Sequence, residues 1–395
     1  MRAYRVLYSP LNLLSKMKIV YSILGTYNAG GMERVLANKA NYLARMGYEL
    51  TIVTTDQKAR LPHFELDPLI CQVDLAINYT DDEGLGIFKK MLSYKRRQRI
   101  HRERLEALLL PLKADIVISM FDHDVSFLHA VQDGSKKVLE IHFSRFKRLQ
   151  YARKGLWKLV NTWRSAQDLV LARKYDRFVV LTHEDHTYWK GLKNSVVIPN
   201  ANTFTVPARA ALTEKRAIAV GRFDYQKGFD ELIAIWKTIH ARCPDWRLDI
   251  YGQGPLQGDM LVQIHALGLD GQIALHAPIK NIRDAYMHSS LVLMSSRYEG
   301  LPMTLLEAQA CGLPMVAYAC KCGPRDIIKP GKNGYLIAEG DRADFADKAC
   351  RLMEKAKLRK QMGQNAWEMA ENFDEERIMR QWLLLFERLT KGEQR

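Results

Sequence analysis

Short apolar runs alternate with amphipathic stretches along the whole chain, and the alternation happens twice. In the first half, Lys18–Leu24, Glu49–Thr54, Asp115–Ser119, Lys137–Ile141 and Phe178–Leu181 read as strands. Their near-continuous apolar character is that of strands covered on both faces. A turn-rich loop, Tyr27-Asn-Ala-Gly-Gly31, is followed by a helix from Met32 to about Met46, and Cys71–Ala76 predicts a further short strand. Pro199–Ala211 has no periodicity and reads as a linker. The pattern then restarts with strands at Ala217–Gly221, Arg247–Tyr251, Ile273–His276, Leu291–Met294 and Met315–Tyr318. Helices are predicted at Asp230–His240, after Pro255 to about Gly268, at Ile282–His288, and from the Gly300–Pro302 turn to about Gly312. Helices at Asp341–Lys357, Lys360–Asn372 and Glu375–Leu389 complete the chain, the last with Ile378, Trp382, Leu385 and Phe386 on one face. Strand–helix alternation of this kind predicts an α/β protein with two doubly wound, Rossmann-like parallel sheets. The predicted domains are an extension at 1–16, a first domain at 17–205, a second at 206–373 and a C-terminal helical segment at 374–395.

Two loops of the second half carry the candidate chemistry. Arg297-Tyr-Glu-Gly-Leu-Pro-Met-Thr-Leu-Leu-Glu-Ala-Gln-Ala-Cys-Gly-Leu-Pro314 reads as strand end, loop, helix and strand start. It puts Glu299 in a loop at the carboxyl end of a strand and Glu307 eight residues on, inside the helix. Ligands of open α/β sheets bind at such strand ends, and a helix N-terminus suits a phosphate. Leu301, Met303 and Thr304 lie at that N-terminus. One carboxylate in the loop and one down the helix are placed to accept hydrogen bonds from pairs of sugar hydroxyls. The second loop, Gly221-Arg-Phe-Asp-Tyr-Gln-Lys-Gly228, puts Arg222 and Lys227 after the first strand of the second domain, where both cations are expected to face one anion. Gly252-Gln-Gly254-Pro255 is a third strand-end loop, whose glycines let backbone come close to a ligand.

The Glu299/Glu307 spacing in this context resembles the Glu-x7-Glu motif of family 4 retaining glycosyltransferases, which have the two-domain GT-B fold. Gly221-Arg222…Lys227-Gly228 and Gly252-Gln-Gly254 are similar to that family's motifs as well. The motifs cover the second domain well and the first only loosely. The resemblance implies a cleft between two domains and a C-terminal helix that crosses back to the first domain. It implies a nucleotide-sugar donor, UDP-linked in preference to GDP-linked, with Glu299 on sugar hydroxyls, Glu307 on the ribose, and Arg222 and Lys227 on the diphosphate. Ala277–Asn281, with Lys280, occupies the place where the family contacts the base. Gly30 and Gly31 resemble the family's glycine loop near the donor phosphate and the acceptor. The family also places a histidine near the donor sugar. Both His142, in Leu139-Glu-Ile-His-Phe-Ser144, and His123, in Phe121-Asp-His-Asp124, are candidates. The chain looks most like bacterial enzymes that extend polyprenyl-pyrophosphate-linked glycans in polysaccharide biosynthesis. Two alternatives stay open: a nucleotide-sugar 2-epimerase, and a non-catalytic nucleotide-sugar-binding subunit.

Composition narrows the surroundings. At 395 residues and 47% hydrophobic content, the chain accommodates two packed cores. No apolar run approaches the ~20 residues of a membrane-spanning helix. Residues 1–16 make a poor secretory signal and read as an upstream-start extension. Six scattered cysteines suggest a reducing cytosol, and no spacing suggests zinc. Asp122-His-Asp124 spells a metal-binding Asp-x-Asp, but Arg222 and Lys227 provide positive charge without metal, so no cofactor or metal is expected. Thr182-His-Glu-Asp-His186 lacks zinc-peptidase spacing and reads as structural.

The net charge of +15 is concentrated in the first half. Lys89, Lys90, Lys95, Arg96, Arg97, Arg99, Arg102 and Arg104 share one helical stretch, with Ile87, Phe88, Met91 and Leu92 nearby and Glu103 as the opposing charge. Arg145, Lys147, Arg148, Arg153, Lys154, Lys158 and Arg164 form a second cluster with Trp157 and Trp163. Basic helices bearing aromatics suit an anionic membrane surface or a lipid pyrophosphate. The expected location is cytoplasmic, peripheral on the inner face of the membrane. No nucleic-acid-binding module is present, so nucleic acid is not expected as a partner.

Overall fold

The computed structural model describes residues 17–82, 84, 86–147, 156–279 and 281–392. The predicted extension at 1–16 lies outside them. The first sheet is built from β1 (Lys18–Ile23), β2 (Glu49–Thr54), β3 (Cys71–Asp74), β4 (Ile116–Ser119), β5 (Lys136–Glu140), β6 (Arg177–Val180) and β7 (Ser195–Val197). Its strand order is β3-β2-β1-β4-β5-β6-β7. Pairing is parallel, with Ile19 opposite both Leu50 and Ile116. The associated helices are α1 (Gly31–Arg45), α2 (Ile87–Leu112), α3 (Leu156–Ala172) and α4 (His183–Tyr188). Helix α1 is held by its apolar stripe: Leu36, Ala40 and Leu43, four and three residues apart, are buried. Strand β3 ends two residues earlier than its sequence predicts. Ala76 adopts φ +50° and Asn78 φ +58°, which turns the chain out of the extended conformation.

The second sheet is built from β8 (Arg216–Val220), β9 (Arg247–Tyr251), β10 (Ile273–His276), β11 (Leu291–Met294), β12 (Met315–Tyr318) and β13 (Gly334–Ile337). Its order is β10-β9-β8-β11-β12-β13, again parallel throughout its paired strands. Its helices are α5 (Phe229–Arg242), α6 (Gln257–Ala266), α7 (Ile282–Met287), α8 (Met303–Ala310), α9 (Pro324–Ile327), α10 (Arg342–Glu354) and α11 (Ala356–Met369), followed by α12 (Glu375–Thr390). One apolar cluster joins α5 and α10 to this sheet through Trp236, Ile239, Leu248 and Phe345. Another joins α8 through Leu305, Leu306, Val292 and Met315. Strand β13 was not predicted. It is four residues long and begins at a glycine, so it carries little periodicity. Gly334 allows the pairing, since a Cβ there would lie 2.3 Å from the Met315 carbonyl oxygen.

The chain divides into two compact units. One runs to Glu140 and takes in Lys174–Phe178 and the chain from Leu385 onward; the other comprises Ile141–Arg173 and Val179–Leu384. The predicted apolar face of α12 is buried at Ile378, Trp382, Leu385 and Phe386. The first unit contains an ion pair that periodicity does not reveal. Lys39 of α1 donates to both carboxylate oxygens of Glu140 at 2.6 Å, and both side chains are buried. Burial lowers the Lys39 pKa, and the Glu140 charge opposes that.

Candidate active site

The second sheet reverses direction at β8. The chain steps outward through β9 and β10, then crosses back to β11 on the other side. The loops after β8 and β11 therefore flank the crevice at the carboxyl ends, where open α/β sheets bind ligands. Both sequence motifs emerge there.

The β8 loop is held by backbone. Gly221 N–H donates to the Tyr251 carbonyl at 3.0 Å, and Phe223 N–H to the Gln253 carbonyl at 2.9 Å. The contact requires glycine. A Cβ on Gly252 would meet the Gly221 oxygen at 1.9 Å, and one on Gly254 the Phe223 oxygen at 2.4 Å. These glycines serve the fit between two loops, a role beside the ligand approach expected of them from sequence. Phe223 is buried against the edge of Phe229, which anchors the loop and leaves its neighbour Arg222 outside. Arg222 is exposed and pairs with Asp224 at 3.1 Å. Lys227 folds back along Gly221, where a Cβ would sit 2.9 Å from its Cγ, Cδ and Cε. Its ammonium reaches Glu299 Oε1 at 2.7 Å. The two cations are therefore not equivalent: one is exposed, the other is bound to the loop carboxylate.

The β11 loop is tied to the β8 loop at several points. Gly228, at φ +62°, caps α5, and a side chain there would strike the Ser295 carbonyl at 2.4 Å. Ser295 Oγ donates to the Gly228 carbonyl at 2.8 Å, and Arg297 N–H to the Gln226 carbonyl at 2.8 Å. Gln226 Nε2 donates to the Tyr298 carbonyl at 3.1 Å and approaches Glu299 Oε2 at 3.4 Å. Glu299 is thus buried but ionically and hydrogen-bond paired, which is what makes a buried carboxylate tolerable. Gly300 lies against the chain just beyond β5. A Cβ on it would sit 2.5 Å from the His142 carbonyl oxygen and 2.9 Å from Phe143 Cα. His142 therefore lies beside the Glu299 loop.

Helix α8 follows. Leu301 is buried in the core, so only its backbone is available to a ligand, and Met303 is partly buried against the same cluster. Asn200 Nδ2 donates to Met303 Sδ at 3.4 Å, and the Thr304 carbonyl accepts from the Tyr286 hydroxyl at 3.4 Å. Glu307 is buried, with Oε1 accepting from Thr203 Oγ1 at 2.9 Å and Oε2 from Tyr286 at 3.0 Å. Gln226, Thr203 and Tyr286 were not singled out from sequence. Gln226 stands within the Gly221–Gly228 motif, whereas Thr203 lies in the stretch read as linker. Lys280 lies outside the described residues.

His123 belongs to the other unit. It follows β4 and stacks on Tyr79, with ring centroids 3.9 Å apart. Gln98 Nε2 donates to the His123 carbonyl at 2.8 Å and to the Tyr79 hydroxyl at 3.0 Å. Asp122 Oδ1 accepts the His123 N–H at 2.7 Å, and Asp124 Oδ1 accepts from Ser119 Oγ at 2.6 Å. Burial pushes Asp122 and Asp124 up to about 6, while these hydrogen bonds pull them down. Burial lowers the His123 pKa, and it lowers His101 to about 4. Among the described residues no group of three His, Cys, Asp or Glu side chains is arranged to hold a metal ion. Gly30 caps α1 and Gly31 is its first residue. A Cβ on Gly30 would collide with the Glu33 carboxylate at 2.1 Å. Thr182, read as structural, caps α4 by accepting the Asp185 N–H at 3.0 Å.

Two family models match the chain, Glycosyltransferase Family 4 over residues 29–201 and Glycosyl transferases group 1 over residues 203–369. The chain belongs to this glycosyltransferase family. The amylovoran biosynthesis glycosyltransferase AmsD of Erwinia amylovora is 35% identical over 217 residues, 52% of this chain and 61% of that protein. An uncharacterized glycosyltransferase of Haemophilus influenzae is 28% identical over 375 residues, 92% of this chain and 98% of that protein. Among solved structures, a Staphylococcus aureus TarM variant in complex with fondaparinux, α-GlcNAc-glycerol and UDP superposes with a TM-score of 0.76 at 18% identity, covering 94% of this chain and 99% of that one. That likeness shows the GT-B fold, in agreement with the two parallel sheets.

The glycine contacts give a direct test of how the family's β8 loop is positioned. Gly252→Ala and Gly254→Ala should each cost about 1–3 kcal/mol through overpacking. Gly258→Ala, inside α6 with open space around it, should be neutral or stabilising. Urea unfolding of the three variants checks this; equal stability of all three would show that the loops relax freely.

The carboxylates after β4 give a second. In the folded chain Asp124 keeps its proton up to about pH 6, against about 3.9 when unfolded. Its stabilising share is therefore complete below pH 4 and is lost as pH rises through 6. Asp124→Asn removes that loss. Its stability relative to the parent should rise by about 2 kcal/mol between pH 4 and pH 7.5. Denaturant midpoints across that range measure it, and a pH-independent difference would contradict the assignment.

Proposed function

We propose that the chain is a retaining glycosyltransferase that moves a hexosyl or N-acetylhexosaminyl group from a UDP-sugar to a glycan or lipid-linked glycan in surface-polysaccharide biosynthesis. The reading rests above all on the contact of Lys227 with Glu299 at 2.7 Å, beside the N-terminus of α8. One ammonium, one carboxylate and the orphan N–H groups of a helix then stand together at the carboxyl ends of β8 and β11. A nucleotide sugar offers complementary groups: hydroxyls for Glu299, and a diphosphate for Lys227, Arg222 and the helix N-terminus. As the glycosidic bond breaks, negative charge grows on the leaving diphosphate. Fixed positive charge stabilises that state more than the ground state. Arg222, exposed beside this site, is placed to swing from Asp224 onto the same anion. The carbohydrate ligands and UDP of the TarM structure, and the polysaccharide assignment of the Erwinia relative, support the donor and the pathway.

Retention follows in this reading from front-face attack. Both motif carboxylates are engaged, Glu299 by Lys227 and Gln226, Glu307 by Thr203 and Tyr286, which disfavours either as a nucleophile. The proton lost by the acceptor hydroxyl passes to the departing phosphate oxygen. Two protein cations take the place of a metal ion.

The membrane-facing element of the proposal is α2, and the structure narrows it. Arg97 is bound to Asp82 at 2.9 and 3.0 Å, Arg99 to Glu103 and Arg102 to Glu106 at 2.8 Å each, and Arg104 donates to the Leu75 and Ala76 carbonyls. The field of eight cations read from sequence is smaller for that reason. Lys89, Lys90, Lys95 and Arg96 remain exposed, next to Phe88 (80% exposed), Met91 and Leu92. Among the described residues no helix is long and apolar enough to cross a membrane. In the second basic cluster Arg148, Arg153 and Lys154 lie outside the described residues. Arg145 stands over the Trp189 ring at 5.2 Å, so it is a structural cation.

Four measurements test the proposal. Proton NMR of the product should show the donor's anomeric configuration retained, with turnover unchanged in chelator. Glu299→Gln should lower kcat/KM by on the order of a hundredfold or more, as loss of a group contacting the reacting sugar does. An inverted product, a chelator-dead enzyme, or sugar conversion without an acceptor would each overturn it. For the membrane, replacing Lys89, Lys90, Lys95 and Arg96 by Gln should strongly reduce co-sedimentation with anionic vesicles, at about 1 kcal/mol per cation. Equal sedimentation of variant and parent would remove the membrane from the reading.

A further inference from the structure

A cavity of about 420 Å³ opens beside the Glu299 loop, lined by residues to which the motifs assign no role. It is large enough for a small ligand, within the ~300–1,000 Å³ span of such sites. Its floor is the end of β11 and β12. Two hydroxyls there have no hydrogen-bond partner among the described residues: Ser296 Oγ, on a residue 1% exposed, and Tyr318 Oη, on a residue 3% exposed. Leaving buried hydroxyls unsatisfied costs free energy unless a ligand or water completes them. The neighbouring Ser295 shows the contrast, since its hydroxyl is committed to the Lys227 and Gly228 carbonyls.

The charges of the wall are balanced. Arg297 is clamped by Asp230 at 3.0 and 2.6 Å and lies 4.2 Å above the Tyr225 ring. Glu231 is clamped by Arg342 at 2.7 Å through both oxygens. What remains toward the opening is one ammonium, Lys321, and one carboxylate, Glu339. Partial burial raises the Glu339 pKa and Lys321 pulls it back. A phosphate or nucleotide would meet the Glu339 carboxylate, and the one ammonium left toward the opening, Lys321, is already shared with it. No aliphatic side chain is among these lining residues, so an apolar peptide side chain would find only tyrosine rings to pack on. An uncharged ligand rich in hydroxyls fits each feature: two orphan hydroxyls, a carboxylate and an ammonium to exchange hydrogen bonds with, and the half-exposed Tyr225 ring to lie against a pyranose face.

We propose that this cavity is a second carbohydrate subsite, which binds a neutral sugar residue of the acceptor glycan. Its wall, Arg297-Tyr298, leads along the chain directly into Glu299, the residue placed on the donor sugar in the proposed function. Its acceptor role rests on the glycosyltransferase reading; its sugar binding does not.

The experiment uses the full chain, with saturation-transfer difference NMR and titration of neutral saccharides. The probes are the methyl glycosides of glucose, galactose and N-acetylglucosamine, with maltotriose and chitotriose, each with and without saturating UDP. At least one saccharide should bind with UDP present. Tyr318→Phe and Ser296→Ala should each weaken it by about five- to tenfold, the loss of one buried hydrogen bond. Glu299→Gln should leave it within twofold. Tyr318→Phe keeps the ring on Phe345, and unfolding curves of both variants identify any loss due to misfolding. Three results overturn the proposal: no saccharide binds; binding is lost in Glu299→Gln and kept in the cavity variants; or inorganic phosphate or pyrophosphate binds in a Tyr318-dependent way. Failure of transfer activity with saccharide binding intact would count against the transferase reading alone.

Discussion

The candidate site depends on a part-buried ion pair at the point where the second sheet reverses. Lys227 and Glu299 come from different loops, 72 residues apart in sequence. The Glu299 carboxylate is buried, and desolvation of an unpaired buried ion costs several kcal/mol, whereas Lys227 keeps part of its solvation. The Glu299 loop is therefore favoured in the conformation that brings its carboxylate to Lys227. Gln226 extends the same logic by reaching across to the Tyr298 carbonyl and the Glu299 carboxylate. The outcome is a preorganised pair of opposite charges beside a helix N-terminus. That is a poor arrangement for stability by itself and a good one for a ligand that is anionic at one end and hydroxylated at the other.

Glycines make this arrangement possible for steric reasons. Four of the motif glycines, at 228, 252, 254 and 300, sit where a single Cβ would overlap another segment's backbone oxygen at 2.5 Å or less. They let strand-end loops stack directly on one another, so that the polar groups above them need little further ordering. The contact of Gly300 with the His142 carbonyl uses the same device to bring the chain after β5 next to the Glu299 loop. The glycine-rich look of the motifs is thus a record of loop-on-loop packing as much as of ligand approach.

The first unit solves a different problem. After β4 it gathers Asp122, His123 and Asp124 with Tyr79 and Gln98 in a buried polar cluster with little spare solvation. Its carboxylates stay protonated far more readily than surface ones, and its histidine less readily. Above it in sequence, α2 pairs about half of its cations internally and leaves the rest exposed beside apolar side chains. A charge run in the sequence counts cations; the fold decides which of them are paired.

Sequence alone determined the fold class. Near-continuous apolar strands separated by amphipathic helices have few ways to bury their faces other than doubly wound parallel sheets, and the strand positions followed to within a few residues. It also put Arg222, Lys227, Glu299 and His142 just beyond strand ends and Glu307 inside the following helix, and the fold has them there. What it did not determine is set by contacts between distant segments. The pairing of Lys227 with Glu299 and the engagement of Glu307 by Thr203 and Tyr286 belong to that class. So do the burial of Leu301, the capture of Arg97 by Asp82, and strand β13, which is too short to show a period. The cavity behind Ser296 and Tyr318 has no sequence signature at all. Its hydroxyls come from two strand ends brought side by side by pairing in the sheet, and an unsatisfied buried hydroxyl exists only once the chain around it has closed.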